Sequence, residues 1–188
     1  MRPRVTLIEP PGPSDYEAYM LRLVNEQRRK HSLPELRWNA TLAGMARQHS
    51  EEMMRLGYFS HTSPAPEYRT MQDRASVAGL SAYQRITENI AVAPYFDVTG
   101  LVMPGMRLVE AAMHGDTMSR EYYTAEGRTI VHHTDLINIG GFMQSAGHRK
   151  NILDPAVNYA GLGISAGNGI YNGKRTRGMW VTQNFARL

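Results

Sequence analysis

In the N-terminal third of the chain, apolar side chains recur at helical spacing in two separate stretches. Tyr16, Met20, Leu23, Val24 and Gln27 form the first stripe, and residues three and four apart share one face of a helix. Ser14 and Glu17 read as a capping box, in which the serine oxygen accepts an orphan amide and the glutamate reaches back to the cap. The pairs Arg22 with Glu26 and Glu26 with Lys30 fit the outer face, and the pattern ends near His31. A second stripe runs through Leu42, Met45, Ala46, His49, Met53 and Leu56 and is read as core. Asn39 is a suitable cap before it, and Gly57 a suitable stop after it.

The remaining chain is more mixed. Residues 67 to 79 read as a shorter helix, and Arg85 to Ala93 as a strand rich in β-branched residues: Ile86, Thr87, Ile90 and Val92. Tyr159 to Ala166 and Gly178 to Ala186 read as two further strands, with Asn168-Gly169 and Asn172-Gly173 between them. Asn-Gly is the strongest short hairpin signal because both residues tolerate positive φ. Between these regions, Pro104 to His114 reads as one helix, followed by a polar stretch through His132, His133 and Asp135 that reads as an exposed loop. Residues 1 to 13 carry four prolines and read as an extended arm.

A length of 188 residues predicts one domain over residues 14 to 188. The net charge of +4 favours anionic partners. However, the basic residues are scattered, and the basic tip Lys174 to Arg177 has few aromatic neighbours for base stacking, so nucleic acid is disfavoured. The chain has no cysteine. That excludes disulfides, thiolate metal sites and a cysteine nucleophile, and restricts any metal to His, Asp or Glu. No apolar run approaches the roughly eighteen residues needed to span a bilayer.

Four motifs give these elements a context: Gly57-Tyr58-Phe59-Ser60-His61-Thr62-Ser63-Pro64, Thr87-Glu88-Asn89-Ile90-Ala91, Ser145-Ala146-Gly147-His148-Arg149-Lys150-Asn151-Ile152-Leu153 and Trp180-Val181-Thr182-Gln183-Asn184-Phe185-Ala186. In this order they resemble the bacterial branch of the CAP superfamily, the SCP-like domains related to cysteine-rich secretory proteins, antigen 5 and plant pathogenesis-related protein 1. The segments Asn25 to Arg28 and Leu33 to Asn39 resemble the opening of such a domain. The resemblance implies an α-β-α sandwich, with a small, mostly antiparallel sheet between helical layers. It also implies a secreted, periplasmic or cell-envelope location, with an export signal upstream of this chain. Residues 95 to 139 exceed the matching part of a minimal bacterial domain and are read as an insertion placed to rim the cleft.

The resemblance also implies a cleft. His61 falls on the family's first cleft histidine, Glu88 on its acidic residue, and His148 on its second histidine. Ser145 takes a fourth place that is glutamate in eukaryotic relatives. Thr87 replaces the family's glycine, and Phe142 its usual tryptophan. Asn89 and Gln183 are read as supporting the cleft, and Arg149 and Asn151 as bracing the His148 turn. Two neutral imidazoles and a carboxylate suffice for Zn²⁺ or another divalent cation with a place left for water. The alternative is a hydrogen-bonded cluster in which Glu88 fixes an imidazole tautomer.

Lesser candidates remain. Ser145 with His148 could pair as nucleophile and base, although no orienting acid is identifiable. His132, His133 and Asp135 could bind a metal. His49 reads either as a buried, hydrogen-bonded residue or as a cleft residue. The expected function is an interaction module for a small-molecule, lipid or protein ligand. The second expectation is a metal-assisted hydrolase of peptides in which Glu88, His61 or His148 handles the proton of a bound water.

Overall fold

The computed structural model describes residues 13–94, 105–123 and 129–188, with 116–123 and 129–139 described by their backbone path alone. The arm expected at residues 1 to 13 falls almost wholly outside the described residues. In chain order the elements are α1 (Pro13–Lys30), β1 (Arg37–Trp38), α2 (Ala40–Leu56), α3 (Met71–Val77), β2 (Arg85–Pro94), α4 (Gly105–His114), β3 (Asp116–Tyr123), β4 (Thr129–Ile139), α5 (Ala146–Ile152), β5 (Tyr159–Tyr171) and β6 (Lys174–Arg187).

A four-stranded sheet with strand order β1-β5-β6-β2 forms the middle layer. β5 and β6 are antiparallel, as are β6 and β2, and the two-residue β1 runs parallel to β5. The hairpin reverses at Asn172 and Gly173, both with positive φ (50° and 73°), whereas Asn168-Gly169 lies within β5. Two consecutive left-handed residues match the twist of the strands they join.

Alternation along β5 divides the side chains between two helical layers. Ala160, Leu162 and Ile164 join Met20, Val24, Leu108, Met113, Phe142 and Ile152 in the larger core, beneath α1, α4 and α5. On the opposite face, Gly161 and Gly163 let the backbone of α2 lie directly on the strand. A Cβ at Gly163 would come within 2.1 Å of the Ala46 carbonyl carbon, and one at Gly161 within 2.1 Å of the Ala43 nitrogen. Leu42, Met45 and Ala186 pack together there, as do Met53, Ile90 and Trp180.

The first two helices follow their stripes. Tyr16, Met20, Leu23, Val24 and Gln27 are buried, as are Leu42, Met45, Ala46, His49 and Met53. Asn39 accepts from the Leu42 amide, and Gly57 ends α2 in the left-handed conformation. Leu56 departs from its stripe and is 47% exposed, as the last helical residue before the Gly57 cap. Glu17 is not engaged at the helix start. Buried in the interior, it accepts from Arg47 Nε at 2.8 and 3.0 Å and from the Ile164 amide at 3.4 Å. A side chain that bridges two layers has a stronger claim on its carboxylate than the cap. Arg22 lies over the Tyr19 ring, 4.6 Å from its centroid.

Two further readings need correction, those of residues 67 to 79 and of the stretch holding His132, His133 and Asp135. The helix expected at 67 to 79 is a 3-10 turn at Pro66–Tyr68 followed by α3. Thr70 and Asp73 form a reciprocal capping box that starts α3 afresh. In the region read as an insertion, α4 packs on α1 and contributes Leu108, Val109 and Met113 to the larger core. The stretch holding His132, His133 and Asp135 belongs to β4 rather than to a loop, at the irregularity where the β3–β4 register shifts between its two paired runs. The side chains of these three residues lie outside the described set.

Candidate functional site

β2 is the edge strand of the sheet, and the candidate residues gather around it from both layers. Glu88 stands opposite Asn184, and Asn89 opposite Gln183, in the β2–β6 register. Directly paired residues share a face. Asn184 donates to the Leu42 carbonyl of α2 at 3.2 Å, so Glu88 faces the α2 layer. Asn89 faces the other way and donates to the His148 carbonyl of α5 at 3.1 Å and to Gln183 Oε1 at 3.0 Å.

Glu88 is buried and each carboxylate oxygen has its own partner. Arg74 of α3, itself buried, donates from NH2 to Oε2 at 2.7 Å. The His61 Nδ1–H donates to Oε1 at 2.9 Å. Because a carboxylate oxygen only accepts, Nδ1 must carry a proton, and in the neutral imidazole the lone pair is then on Nε2. The His61 side chain is 56% exposed, so that lone pair belongs to a ring reachable from solvent. Arg74 also donates to the carbonyls of His61 and Tyr68, at 3.2 and 3.1 Å, and so fixes the loop as well as the carboxylate.

His49 lies behind this pair, fully buried on α2. Its Nε2–H donates to the Ser60 carbonyl at 3.0 Å, and the Tyr58 hydroxyl donates to Nδ1 at 3.3 Å. Burial holds its pKa below the ordinary imidazole value despite the nearby Glu88 carboxylate. The imidazole is therefore a neutral brace for the Tyr58–His61 loop. The second buried carboxylate, Glu52, accepts from Ser63 Oγ at 2.7 Å and ties the far end of the same loop to α2.

His148 arrives from the opposite layer. Ser145 caps its helix, accepting from the His148 amide at 3.5 Å, and Phe142 meets its ring edge-on with centroids 5.2 Å apart. Burial is the main cause that lowers the His148 pKa, and the neighbouring His61 acts in the same direction. Asn151 donates to the Glu88 carbonyl at 3.2 Å and to Asn89 Oδ1 at 2.8 Å, while Arg149 donates to the Met143 carbonyl at 2.9 Å. Arg28, buried on α1, donates from NH1 to the carbonyls of Ile152 and Asp154, both at 2.9 Å. These bonds hold α5 against β2 and α1.

The arrangement places His61, Glu88 and His148 around one sheet edge, but it binds them unequally. Glu88 contacts His61 and not His148, whose anchor to β2 runs through Asn89. Ser145 Oγ accepts from the backbone amide of His148, and among the described residues no hydrogen bond joins its hydroxyl to the imidazole. Among the described residues, no three His, Asp or Glu side chains converge closely enough to hold a metal ion.

Arg74 is the residue whose part in the site sequence reasoning did not find. It left no local signal beyond the Thr70-Met71-Gln72-Asp73 cap that starts its helix. His49 is buried and hydrogen-bonded, as one of its two sequence readings has it.

The model of the CAP cysteine-rich secretory protein family matches residues 21–185. The chain belongs to this family, and it does so without a cysteine. YkwD of Bacillus subtilis is 28% identical over 166 residues, covering 88% of this chain and 49% of that protein. The chain thus spans about half the length of this curated relative.

Among solved structures, an extracellular SCP-domain protein of Bacillus anthracis is similar, with a TM-score of 0.59 and 26% identity. The match covers 94% of this chain and 41% of that one. An outer surface protein of Borrelia burgdorferi shares the fold at a TM-score of 0.55 and 13% identity, covering 94% of this chain and 96% of that one. No helix among the described residues is long and apolar enough to cross a membrane.

Proposed function

We propose that this chain is the binding module of an exported bacterial protein, and that its cleft takes a divalent cation such as Zn²⁺ through the imidazoles of His61 and His148. The observation that carries this reading is the hydrogen bond from His61 Nδ1 to Glu88, which leaves Nε2 as the donor facing solvent. A carboxylate behind a ligating imidazole fixes its tautomer and raises its basicity. Glu88 therefore acts as the support of His61 and not as a third ligand. Burial shifts the His148 pKa downward, which favours the neutral state that a metal ligand requires.

Two protein donors leave coordination places open, where the cation would supply a Lewis-acidic point for an oxygen or nitrogen of the module's ligand. Export is supported by the extracellular and outer-surface descriptions of the neighbours. The hydrolase reading is weaker, because the charge of Glu88 is already matched by Arg74 and a neutralised carboxylate is a poor base for water.

Titration calorimetry with Zn²⁺ tests the site. Loss of binding in both His61→Ala and His148→Ala is expected, and unchanged affinity in either variant would discard the assignment.

A further inference from the structure

The closed end of the β5–β6 hairpin carries a surface that neither the cleft nor the core explains. The register runs from Asn168↔Arg177 to Tyr171↔Lys174, beyond Gly178, where the β2 pairing stops among the described residues. This two-stranded ribbon rests on the last turn of α2. A Cβ at Gly57 would touch Ile170, and one at Gly169 would touch Met54. Three large apolar side chains are exposed where ribbon and helix meet: Leu56, Phe59 and Ile170, at 47%, 44% and 39%. Phe59 and Tyr171 meet edge to face at 5.9 Å, which joins the loop to the ribbon.

The same junction is basic. Arg55, Ile170, Arg175 and Arg177 line one open cavity of about 630 Å³, whose only acidic lining residue is Glu51, and exposed Lys174 lies at the turn beside it. Without Arg177, three positive charges still face one negative charge. Exposed aromatic and aliphatic side chains flanked by Lys and Arg are the composition that seats a surface in the headgroup region of a bilayer. A soluble polyanion would use the charges but gain nothing from the exposed surface of Leu56, Phe59 and Ile170.

We infer that the hairpin tip and the end of α2 form a docking surface for an anionic phospholipid bilayer. Arg55, Lys174 and Arg175 attract the headgroups, and Leu56, Phe59 and Ile170 enter the interfacial region. Phe59 shares its loop with His61, so docking sets the mouth of the cleft beside the bilayer. The inference does not depend on metal binding.

The test is co-sedimentation of the full chain with vesicles of phosphatidylcholine alone and of phosphatidylcholine with phosphatidylglycerol. Binding to the anionic vesicles alone is expected, weakening as salt is raised. Each basic residue near such a surface is worth roughly fivefold in partition. The double variant K174E/R175E should therefore bind at least about tenfold more weakly, and L56S/F59S should also lose binding. Circular dichroism would confirm that both variants are folded. Equal binding to both vesicle types, or full binding by K174E/R175E, would overturn the inference. Undiminished binding by L56S/F59S together with equal capture of soluble polyphosphate would overturn it as well, in favour of a simple polyanion site.

Discussion

Arg74 and Glu88 form a buried ion pair at 2.7 Å, with both side chains almost wholly removed from water. The pair joins α3 to the edge strand of the sheet. Because Arg74 also holds the carbonyls of His61 and Tyr68, one guanidinium fixes the carboxylate and the loop that meets it. The site's geometry therefore depends on a residue that carries none of its proposed chemistry.

Replacing Arg74 with methionine should be severe, since it strands a buried carboxylate. Removal of one partner of a buried pair costs about 3–5 kcal/mol. Urea denaturation should show that loss in R74M. The double variant R74M/E88Q should recover part of it, because no charge is then left unmatched. Additive losses in the double variant would mean that the pair is not coupled in the folded protein.

Stability should fall with pH below the imidazole range. Burial depresses the His49 pKa and Arg74 acts with it, while Glu88, the Ser60 carbonyl and Glu52 oppose the shift; Tyr58 is a hydrogen-bond neighbour. The folded protein therefore binds this proton less readily than the unfolded chain. The sign follows from linkage: the contribution is complete above the unfolded value of about 6.5 and is lost as pH falls from there toward the depressed folded value. Half-buried His148 adds to the same trend. Each group steepens the dependence by at most about 1.4 kcal/mol per pH unit. His49→Gln keeps a donor for the Ser60 carbonyl and should flatten the slope of denaturation midpoint against pH; an unchanged slope would remove His49 from the account.

How far the sequence reveals this architecture depends on the range over which each signal acts. The stripe from Leu42 to Met53, the Asn39 cap and the Asn172-Gly173 turn are local, and all three stand as read. Leu56 misled because periodicity does not say how far burial persists into the last turn of a helix. Glu17 misled because a capping box and an interior ion pair look identical when Arg47 is thirty residues away. The cleft residues were named only through family resemblance, since spacings of 27 and 60 residues carry no local geometry. The role of Arg74 was hidden for the same reason, as it is defined by partners on other elements; the burial of His49 was legible because it lies on the apolar stripe of its own helix.

The contact between α2 and β5 makes a sharp prediction about packing. Gly163→Ala places a methyl within 2.1 Å of the Ala46 carbonyl carbon and the Arg47 nitrogen, where backbone and not a flexible side chain must yield. Overpacking of this kind costs typically about 1–3 kcal/mol, and moving a whole helix should bring the loss to the upper end. The same substitution at Gly44, which has open space around it, should be neutral or slightly stabilising, as alanine is the better helix former. Equal thermal midpoints for the two variants would contradict the close approach.

Glu88→Gln separates the two functional readings. The amide keeps an oxygen that can accept the His61 Nδ1–H, so a supporting Glu88 predicts that Zn²⁺ affinity falls by about 10–100-fold, as for other groups behind a metal ligand. It should fall less than in His61→Ala. If Glu88 were a ligand in its own right, the two losses would match. Activity divides the readings further. A carboxylate paired with Arg74 and His61 lacks the free charge of a general base, so no zinc-dependent cleavage of unstructured peptides is expected from the wild type. Cleavage that requires zinc and disappears in Glu88→Gln, with the fold intact by circular dichroism, would instead make Glu88 the base of a metal-assisted hydrolase.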